Sequence, residues 1–349
     1  MLESIKTYFR LLAEDRVCGK RAAVAAPLLC AASAFYGAGV GAVRAAYARK
    51  IFPRKRFPFP VISVGNLTWG GAGKTPLVEY LARRISETHR TPLVLSRGYS
   101  REEIEQMRHH LPQVVVGAGK DRVKVAEDIL QNRKIDVAIL DDGMQHWPIE
   151  RDLEIVVVNA LNPFGNGQLI PRGTLRESVA QLKRADLIVL SHGNLVDQNG
   201  LESLREKIRK LAPHAGLVES FLDPLFFYRA DRRKRVSLQS LQHERVTTFS
   251  AVGTPTSFQL LLARHQIRPV RNFEFTDHHV YSEEELREIK RVSVSADIED
   301  IITTEKDFYR CSEPITKILN PLILATRLRM AYGEDILNDK LMRLLGVRR

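Results

Sequence analysis

The stretch Ser63-Val64-Gly65-Asn66-Leu67-Thr68-Trp69-Gly70-Gly71-Ala72-Gly73-Lys74-Thr75-Pro76 constrains this chain more than any other part of it. An apolar run, Val61–Val64, leads into it, and a helical pattern over Pro76–Glu87 leads out. Clustered glycines on a strand-to-helix turn let backbone N–H groups converge on phosphate oxygens, and the helix N-terminus adds positive potential. The usual phosphate loop reads G-x-x-x-x-G-K-[ST]. Here its positions are Thr68, Trp69, Gly70, Gly71, Ala72, Gly73, Lys74 and Thr75, with Thr68 where the first glycine usually stands. In that chemistry Lys74 reaches the β- and γ-phosphates of ATP and Thr75 holds Mg²⁺. A glycine turn without a ligand is the bland alternative, and Gly-Lys-Thr at such a junction speaks against it.

Short apolar runs and helical segments alternate from Phe59 onward. Leu93–Leu95, Val114–Val116, Val137–Leu140, Ile155–Val158 and Leu187–Leu190 read as strands, and Lys120–Gln131 and Leu201–Leu211 as helices. That alternation implies a parallel sheet covered on both faces. A boundary falls near 213–230, where Leu211-Ala212-Pro213-His214-Ala215-Gly216 breaks a helix. Beyond it Val246–Phe249, Phe273–Phe275, Ile301–Thr304 and Leu322–Ala325 read as strands, with helices at Thr256–His265 and Glu283–Ala296. The expectation is an α/β chain in three parts. These are an N-terminal membrane-associated helical segment over 1–56, a P-loop NTPase-like, mostly parallel domain over 57–215, and a smaller α/β domain over 216–349.

The second chemical element is Ile135-Asp136-Val137-Ala138-Ile139-Leu140-Asp141-Asp142-Gly143. An apolar strand delivers two carboxylates to its C-terminal end, where ligands bind in open α/β sheets. Adjacent strand residues face opposite ways, so Asp141 and Asp142 take different roles: one approaches Mg²⁺ and the other orients a neighbour. The glycines of Val114-Val115-Val116-Gly117-Ala118-Gly119-Lys120-Asp121-Arg122 imitate a dinucleotide fingerprint. Arg122 stands where a third glycine belongs, so the segment reads as a turn into a helix, with Arg122 free to face a phosphate.

A formal charge of +12 speaks to partners. Basic clusters occur at Arg49-Lys50, Arg54-Lys55-Arg56 and Arg232-Arg233-Lys234-Arg235. No zinc finger, basic zipper or aromatic-rich RNA signature accompanies them, so an anionic lipid surface is preferred to nucleic acid. Ala22 to Val43 carries no charge and is flanked by Lys20-Arg21 and Arg44, long enough to span a bilayer. It is mostly Ala and Gly, with Pro27 inside. Upstream, Ile5, Tyr8, Phe9, Leu11 and Leu12 recur like one helix face. Helices lying in the membrane interface are preferred to a span, and a signal peptide does not suit Glu14 and Asp15. Cys18, Cys30 and Cys311 are scattered, which points away from a disulfide framework and toward small buried apolar residues in a reducing compartment.

With these residues in hand, the chain resembles the tetraacyldisaccharide 4'-kinases of lipid A synthesis. The matching stretches are "VGNLTWGGAGKTP", "LSRGYS", "GKDRV", "ILDDGMQH", "FGNGQLIPRGTLRE", "VGTPTSF", "FTDHH" and "TTEKD". The resemblance implies transfer of the ATP γ-phosphoryl to the 4'-hydroxyl of a tetraacyldisaccharide 1-phosphate lipid, giving lipid IV-A. It also implies Mg²⁺, a site between two domains, and a peripheral place on the cytoplasmic face of the inner membrane. Neither nucleic acid nor an obligate protein partner is expected.

Phosphoryl transfer also needs a base for the incoming hydroxyl. Asp277 and His278, just past a strand end, suit proton transfer near neutral pH, with capping of the next helix as the bland alternative. His279 is expected to point elsewhere. In the family the histidine matching His278 pairs with an aspartate of a Gly-Asp-Glu-Pro motif. Here the segment from Ser96 to Val116 is short and lacks that motif. Glu102, Glu103 and Glu105 lie in it and read as a solvated helix face. Another carboxylate substitutes, or His278 acts with less help, or transfer is weak. Gln145, His146, Asn166, Arg172 and Arg176 are candidates for the sugar or a phosphate, Arg forks being suited to the latter. Lys306 and Asp307 either face nucleotide or cap the next turn. Two rival readings remain: a P-loop GTPase or metal-chaperone switch, and an ATP-binding membrane protein with weakened transfer.

Overall fold

The computed structural model describes residues 12–13, 15, 20–98, 101–230 and 234–346. The upstream pattern Ile5, Tyr8, Phe9 and Leu11, together with Cys18, Arg232 and Arg233, lies outside the described residues. The chain divides into two compact units. Unit 1 holds residues 1–97, 113–220 and 330–349; unit 2 holds 98–112 and 221–329.

In unit 1 the first described helix, α1, spans Lys20–Ala48 and runs through Pro27. Its segment Ala25–Ala48 is long and apolar enough, by length and composition, to cross a membrane, and only 6% of its most apolar window is buried. Phe35 is 79% exposed, and Cys30 is exposed rather than buried because the helix offers its apolar side chains outward. Cys311, in unit 2, is buried as expected.

The sheet of unit 1 is parallel. Its strands are β1 (Val61–Gly65), β2 (Pro92–Ser96), β3 (Val115–Ala118), β4 (Val137–Asp141), β5 (Leu153–Asn159), β6 (Leu187–Ser191) and the start of β7 (Gly216–Tyr228). They lie in the order β7-β6-β5-β1-β4-β2-β3. Every residue of β1, β4, β5 and β6 is buried, as in parallel strands covered on both faces, and their sequences are mostly apolar. Register sets Val64 beside Asp141 and Gly65 beside Val156. The glycine loop and the aspartates therefore leave the same end of neighbouring strands.

Helix α2 (Lys74–Ser86) follows the loop and buries Leu77, Val78, Leu81, Ala82 and Ile85, one stripe at helical spacing. Pro76 sits in its first turn, where a missing N–H does no harm. Helix α3 (Arg101–His110) belongs to unit 2, whereas α4 (Arg122–Leu130) and α5 (Gln198–Leu211) belong to unit 1. α5 starts on the Asp197 cap and buries Leu201, Leu204 and Ile208.

In unit 2 the strands are the rest of β7, β8 (Arg235–Val236), β9 (Val246–Ser250), β10 (Pro269–Glu274), β11 (Asp300–Thr304) and most of β12 (Leu322–Tyr332). Their order is β10-β9-β11-β12-β7, with β8 antiparallel on β7. Helices α6 (Pro255–Arg264), α7 (Glu283–Ser295), α8 (Glu305–Arg310) and α9 (Ser312–Ile318) connect them. Helix α10 (Glu334–Leu345) returns to unit 1, where Glu334 accepts from Tyr80 (2.7 Å) and Leu345 O accepts from Arg90.

The division of the units falls within the 13-residue strand β7, in the stretch near 213–230 read as a boundary. Pro224 in its middle argues against a strand in sequence, yet the flanking Phe, Leu and Tyr residues hold the ladder on either side. Segments 98–112 and 330–349 also lie with the other unit from the one their place in sequence suggests.

Candidate phosphate-binding and acid–base sites

The loop after β1 carries Gly70 at φ 90° and Gly73 at φ 83°, both in the left-handed region that a side chain opposes. A Cβ on Gly73 would also come within 3.3 Å of Ser191 Cβ. Two strand-end side chains tie the loop back to the sheet. Asn159 Nδ2 donates to Gly71 O (3.3 Å), and Ser191 Oγ donates to Ala72 O (2.8 Å). Trp69 N donates to Thr174 O (2.9 Å), while its side chain is exposed.

Charge gathers beside this loop. Lys74 Nζ donates to Asn66 Oδ1 (3.1 Å) and stands 3.5 Å from Asp142 Oδ1. Arg176 places both guanidinium nitrogens on Asp142, at 2.8 Å each, in a bidentate fork. It donates as well to Asn66 O (3.0 Å) and to Asn66 Oδ1. The Asp142 side chain is 37% exposed, and its backbone lies at φ 54°, a conformation Asp tolerates. Burial opposes its ionisation, but Lys74, then Arg176 and Arg122, hold the carboxyl well below its ordinary range.

Asp141, by contrast, is the buried last residue of β4. The two aspartates are thus placed differently, though not by strand alternation: β4 ends at Asp141, and Asp142 turns out of it at φ 54°. Arg122 is buried and donates to Asp142 O (3.3 Å), so the false dinucleotide fingerprint delivers a cation to the aspartate pair. Asp121 caps the helix that follows, accepting from Val123 N and Lys124 N. Gly143 continues the turn where a Cβ would meet Ser63 Oγ at 2.5 Å. Below it, Arg151 donates to Gly143 O (2.8 Å) and pairs with the buried Glu154 (3.3 Å).

The Thr75 hydroxyl and the Asp141 and Asp142 carboxylates are hard oxygen donors. They suit a Mg²⁺ that keeps several waters and takes its other ligands from phosphate. Among the described residues, no group of three or more His, Cys, Asp or Glu side chains is gathered to hold a metal on its own.

The acceptor candidates separate. Gln145 Nε2 donates to Asn66 O (3.2 Å) and to the buried Glu177 (3.0 Å), which also takes Arg184 (2.9 Å). His146 lies beside the aspartate turn, its ring driven down to about 4 by burial and then by Arg122 and Arg151. Arg172 donates to Asp15 (2.7 Å). Asn166 spends its amide within its own loop, donating to Arg172 O (3.2 Å) and accepting from Gln168 N (3.1 Å). Arg176, read as a substrate ligand in sequence, forms the fork on Asp142. In the basic cluster at 54–56, Lys55 pairs with Glu127 and Arg56 with Asp152 (2.8 Å), so part of that charge is answered within the protein.

In unit 2 the acid–base candidates form one network. His278 sits at φ 63° after β10, its side chain 48% exposed. Its Nδ1 is 2.9 Å from Glu102 Oε1. Glu102 is only 8% exposed, which overturns its reading as solvated. The first turn of α3 packs inward, and Arg310 supplies the charge that makes burial tolerable, its Nε donating to the same carboxylate (3.1 Å) and its Nη2 ion-paired with it at 3.0 Å. Burial raises the Glu102 carboxyl, but the hydrogen bond from His278 and the charge of Arg310 outweigh that and bring it down to about 2. Since an ionised carboxylate only accepts, the proton in this contact belongs to His278 Nδ1 and the Nε2 lone pair is left as the basic position.

Around this pair, Lys306 bridges Glu103 (3.0 Å) and Asp277 (3.3 Å), and Asp277 stands 3.8 Å from His278 Nε2. Asp307 is fully buried, accepting from Tyr281 (2.9 Å), Ala251 N (3.0 Å) and Arg310 (3.2 Å), and with Thr304 it caps α8. Of the pair read at 306–307, Asp307 therefore builds the fold. His279 points away, bonded to Glu285 (3.0 Å) and stacked on Phe275. The following helix is capped by Ser282 and Glu285, not by Asp277 or His278.

Sequence reasoning missed Asn66, Glu102 as a partner, Arg310, Ser191 and His192. A polar residue directly after an all-apolar strand was the available signal for Asn66; the others have none within their own segment.

These environments predict two windows of acid sensitivity. The His146 ring titrates near 4 when folded against an ordinary 6.5, so the unfolded chain binds more protons between those values and stability falls as pH drops through them. Glu102, near 2 against 4.5, acts in the same direction between pH 4.5 and 2. Urea unfolding of wild type and Glu102→Gln is expected to show equal slopes above pH 5 and a shallower loss for the variant below it. Identical curves below pH 4.5 would refute the Glu102 environment.

The comparisons with known proteins agree on one family. The family model for tetraacyldisaccharide-1-P 4'-kinase matches residues 25–346. A probable mitochondrial tetraacyldisaccharide 4'-kinase of Arabidopsis thaliana is 33% identical over 363 residues, covering 92% of each chain. A tetraacyldisaccharide 4'-kinase of Anaeromyxobacter dehalogenans is 33% identical over 341 residues, covering 90% of this chain and 89% of its own. Among solved structures, LpxK from Aquifex aeolicus in complex with ATP is 26% identical, with a TM-score of 0.66, covering 90% of this chain and 96% of that one.

Proposed function

The chain belongs to the tetraacyldisaccharide-1-P 4'-kinase family, and on that premise we propose that it moves the γ-phosphoryl of ATP to the 4'-hydroxyl of a tetraacyldisaccharide 1-phosphate. The 4'-oxygen forms a bond to the γ-phosphorus as the bond to the bridging β,γ-oxygen breaks. The hydroxyl proton goes to His278 Nε2, and ADP leaves with the electrons of the broken bond.

The loop amides from Gly70 to Gly73 and the Lys74 ammonium bind the triphosphate. Thr75, Asp141 and Asp142 are the residues that would hold Mg²⁺, which when bound offsets charge on the β- and γ-oxygens. Arg176 and Asn66 orient Asp142 and Lys74. Glu102 orients the His278 ring through Nδ1 and stabilises its cation after proton uptake, as a buried carboxylate does for a general base. Arg172, Gln145 and His146 face the acceptor, Arg172 taking its anionic group. Helix α1 associates peripherally with a membrane surface on the side that supplies ATP, bringing the protein to its lipid.

The observation that carries this reading against weakened transfer is the 2.9 Å contact of Glu102 with His278. It supplies a carboxylate where the sequence lacks the family's aspartate motif. Incubation with ATP, Mg²⁺ and the disaccharide lipid in detergent is expected to give product phosphorylated at the 4'-position, with none above background for Lys74→Ala. Equal turnover by both proteins, or none by either, would remove the proposal.

A further inference from the structure

We propose that Ser191 and His192, at the end of β6, are positioning residues for the phosphate loop: together they fix the Ala72–Gly73 peptide so that the Gly73 N–H faces the bound phosphates. The inference rests on the reading of the loop as the ATP site.

The geometry is a chain of hydrogen bonds. Ser191 Oγ donates to Ala72 O at 2.8 Å, and His192 Nδ1 lies 3.1 Å from Ser191 Oγ. A serine hydroxyl has one hydrogen, and here Ala72 O receives it. The contact with His192 must therefore use the imidazole hydrogen, which places that hydrogen on Nδ1. Both side chains are buried, so water does not compete for either bond. Burial also pushes the His192 ring down to about 4, which keeps it neutral at pH 7.

The consequence follows from peptide planarity. In a trans peptide the C=O and the next N–H point in opposite directions. Pulling Ala72 O onto Ser191 turns Gly73 N–H away from the sheet, toward the concave side of the loop. Ser191 Cβ and His192 Cε1 also close off the back of Gly73, at 3.3 and 3.9 Å from where a Cβ would lie. His192 adopts φ 60° here, a left-handed conformation uncommon for residues with a side chain, though histidine takes it more readily than most.

Two variant types separate donor from backbone. His192→Gly keeps the left-handed conformation and removes the donor. His192→Asn tolerates that conformation and presents an amide N–H near the position of Nδ1. Ser191→Ala cuts the chain at its centre, and Ser191→Cys weakens it with the side chain kept, a thiol being a poor donor and acceptor. ATP dissociation constants and the split between KM and kcat are measured on the full-length protein, with Lys74→Ala alongside and thermal midpoints recorded.

Loss of one hydrogen bond's worth of pre-organisation predicts roughly tenfold weaker ATP binding for Ser191→Ala and His192→Gly, with kcat at saturating ATP within about threefold. His192→Asn is expected within about twofold of wild type on both. ATP affinity unchanged in Ser191→Ala, Ser191→Cys and His192→Gly, while Lys74→Ala binds poorly, would overturn this inference alone. His192→Asn behaving like His192→Gly would overturn the donor role. Unchanged affinity in Lys74→Ala would overturn the loop assignment and this inference with it.

Discussion

Replacing Glu102 with Ala is expected to lower kcat about 10²-fold, and replacing His278 with Ala to lower it at least as far, the range lost when a positioned general base is removed. The two residues act as one unit, so the double variant should turn over no more slowly than His278→Ala alone. Glu105→Ala, on the same helix but exposed, should stay within about 0.5 kcal/mol of wild type in stability and keep full turnover.

The argument is electrostatic and geometric together. Glu102 is the side chain bonded to His278 Nδ1, and that bond leaves Nε2 as the nitrogen to which the proposed function assigns the substrate proton. When the ring becomes a cation, the ionised carboxylate at 2.9 Å stabilises it, solvent screening being limited on the buried Glu102 side of the half-exposed ring. Removal of Glu102 also leaves Arg310 with one carboxylate fewer, so thermal midpoints must accompany the rates. Glu102→Gln answers that concern. It keeps an acceptor for Nδ1 and the shape of the contact but removes the charge, and an intermediate kcat is expected. Wild-type turnover by Glu102→Ala would return α3 to the status of a structural element.

The parts that sequence made legible are those whose partners lie close along the chain. The loop, its flanking strand and helix, and the Asp141-Asp142 turn are each a local arrangement, and local chemistry specifies them. What stayed hidden depends on contacts across long separations. Glu102 and His278 are 176 residues apart, and nothing in Arg101-Glu102-Glu103 distinguishes an inward carboxylate from a solvated one. A charged helical run reads as surface by default, and it is His278 and Arg310, from two other segments, that make burial of Glu102 tolerable.

The same reasoning accounts for β7 and for the site's supporting residues. Pro224 and a preceding helix break resemble a linker, and the strand exists because neighbours on both sides complete its ladder. Ser191-His192 reads as the end of an apolar strand; its engagement with Ala72 appears only when β6 is brought beside the loop. Arg176 is a related case. An arginine near a phosphate site suggests a phosphate ligand, and its pairing with Asp142 is visible only once the segments are brought together.

Asp142→Asn is the second large effect expected, and its sign differs between two measurements. Asp142 answers Lys74 at 3.5 Å, Arg176 through two bonds at 2.8 Å, and Arg122 through its carbonyl. Taking away its charge leaves these cations facing one another with one anion fewer. A polyphosphate entering the loop then meets a more positive site, so ATP binding without added metal is expected to hold or tighten. Turnover is expected to move the other way, falling about 10²–10³-fold, the range for loss of one electrostatic element at a reacting centre. In the proposed function the carboxylate would supply an oxygen to Mg²⁺, and it anchors Lys74 and Arg176; the uncharged amide holds both more weakly. Calorimetry with ATP in chelator, set against turnover with Mg²⁺, separates the two effects. Parallel loss of metal-free ATP affinity and of kcat would mean that Asp142 holds the loop together rather than balancing its charge.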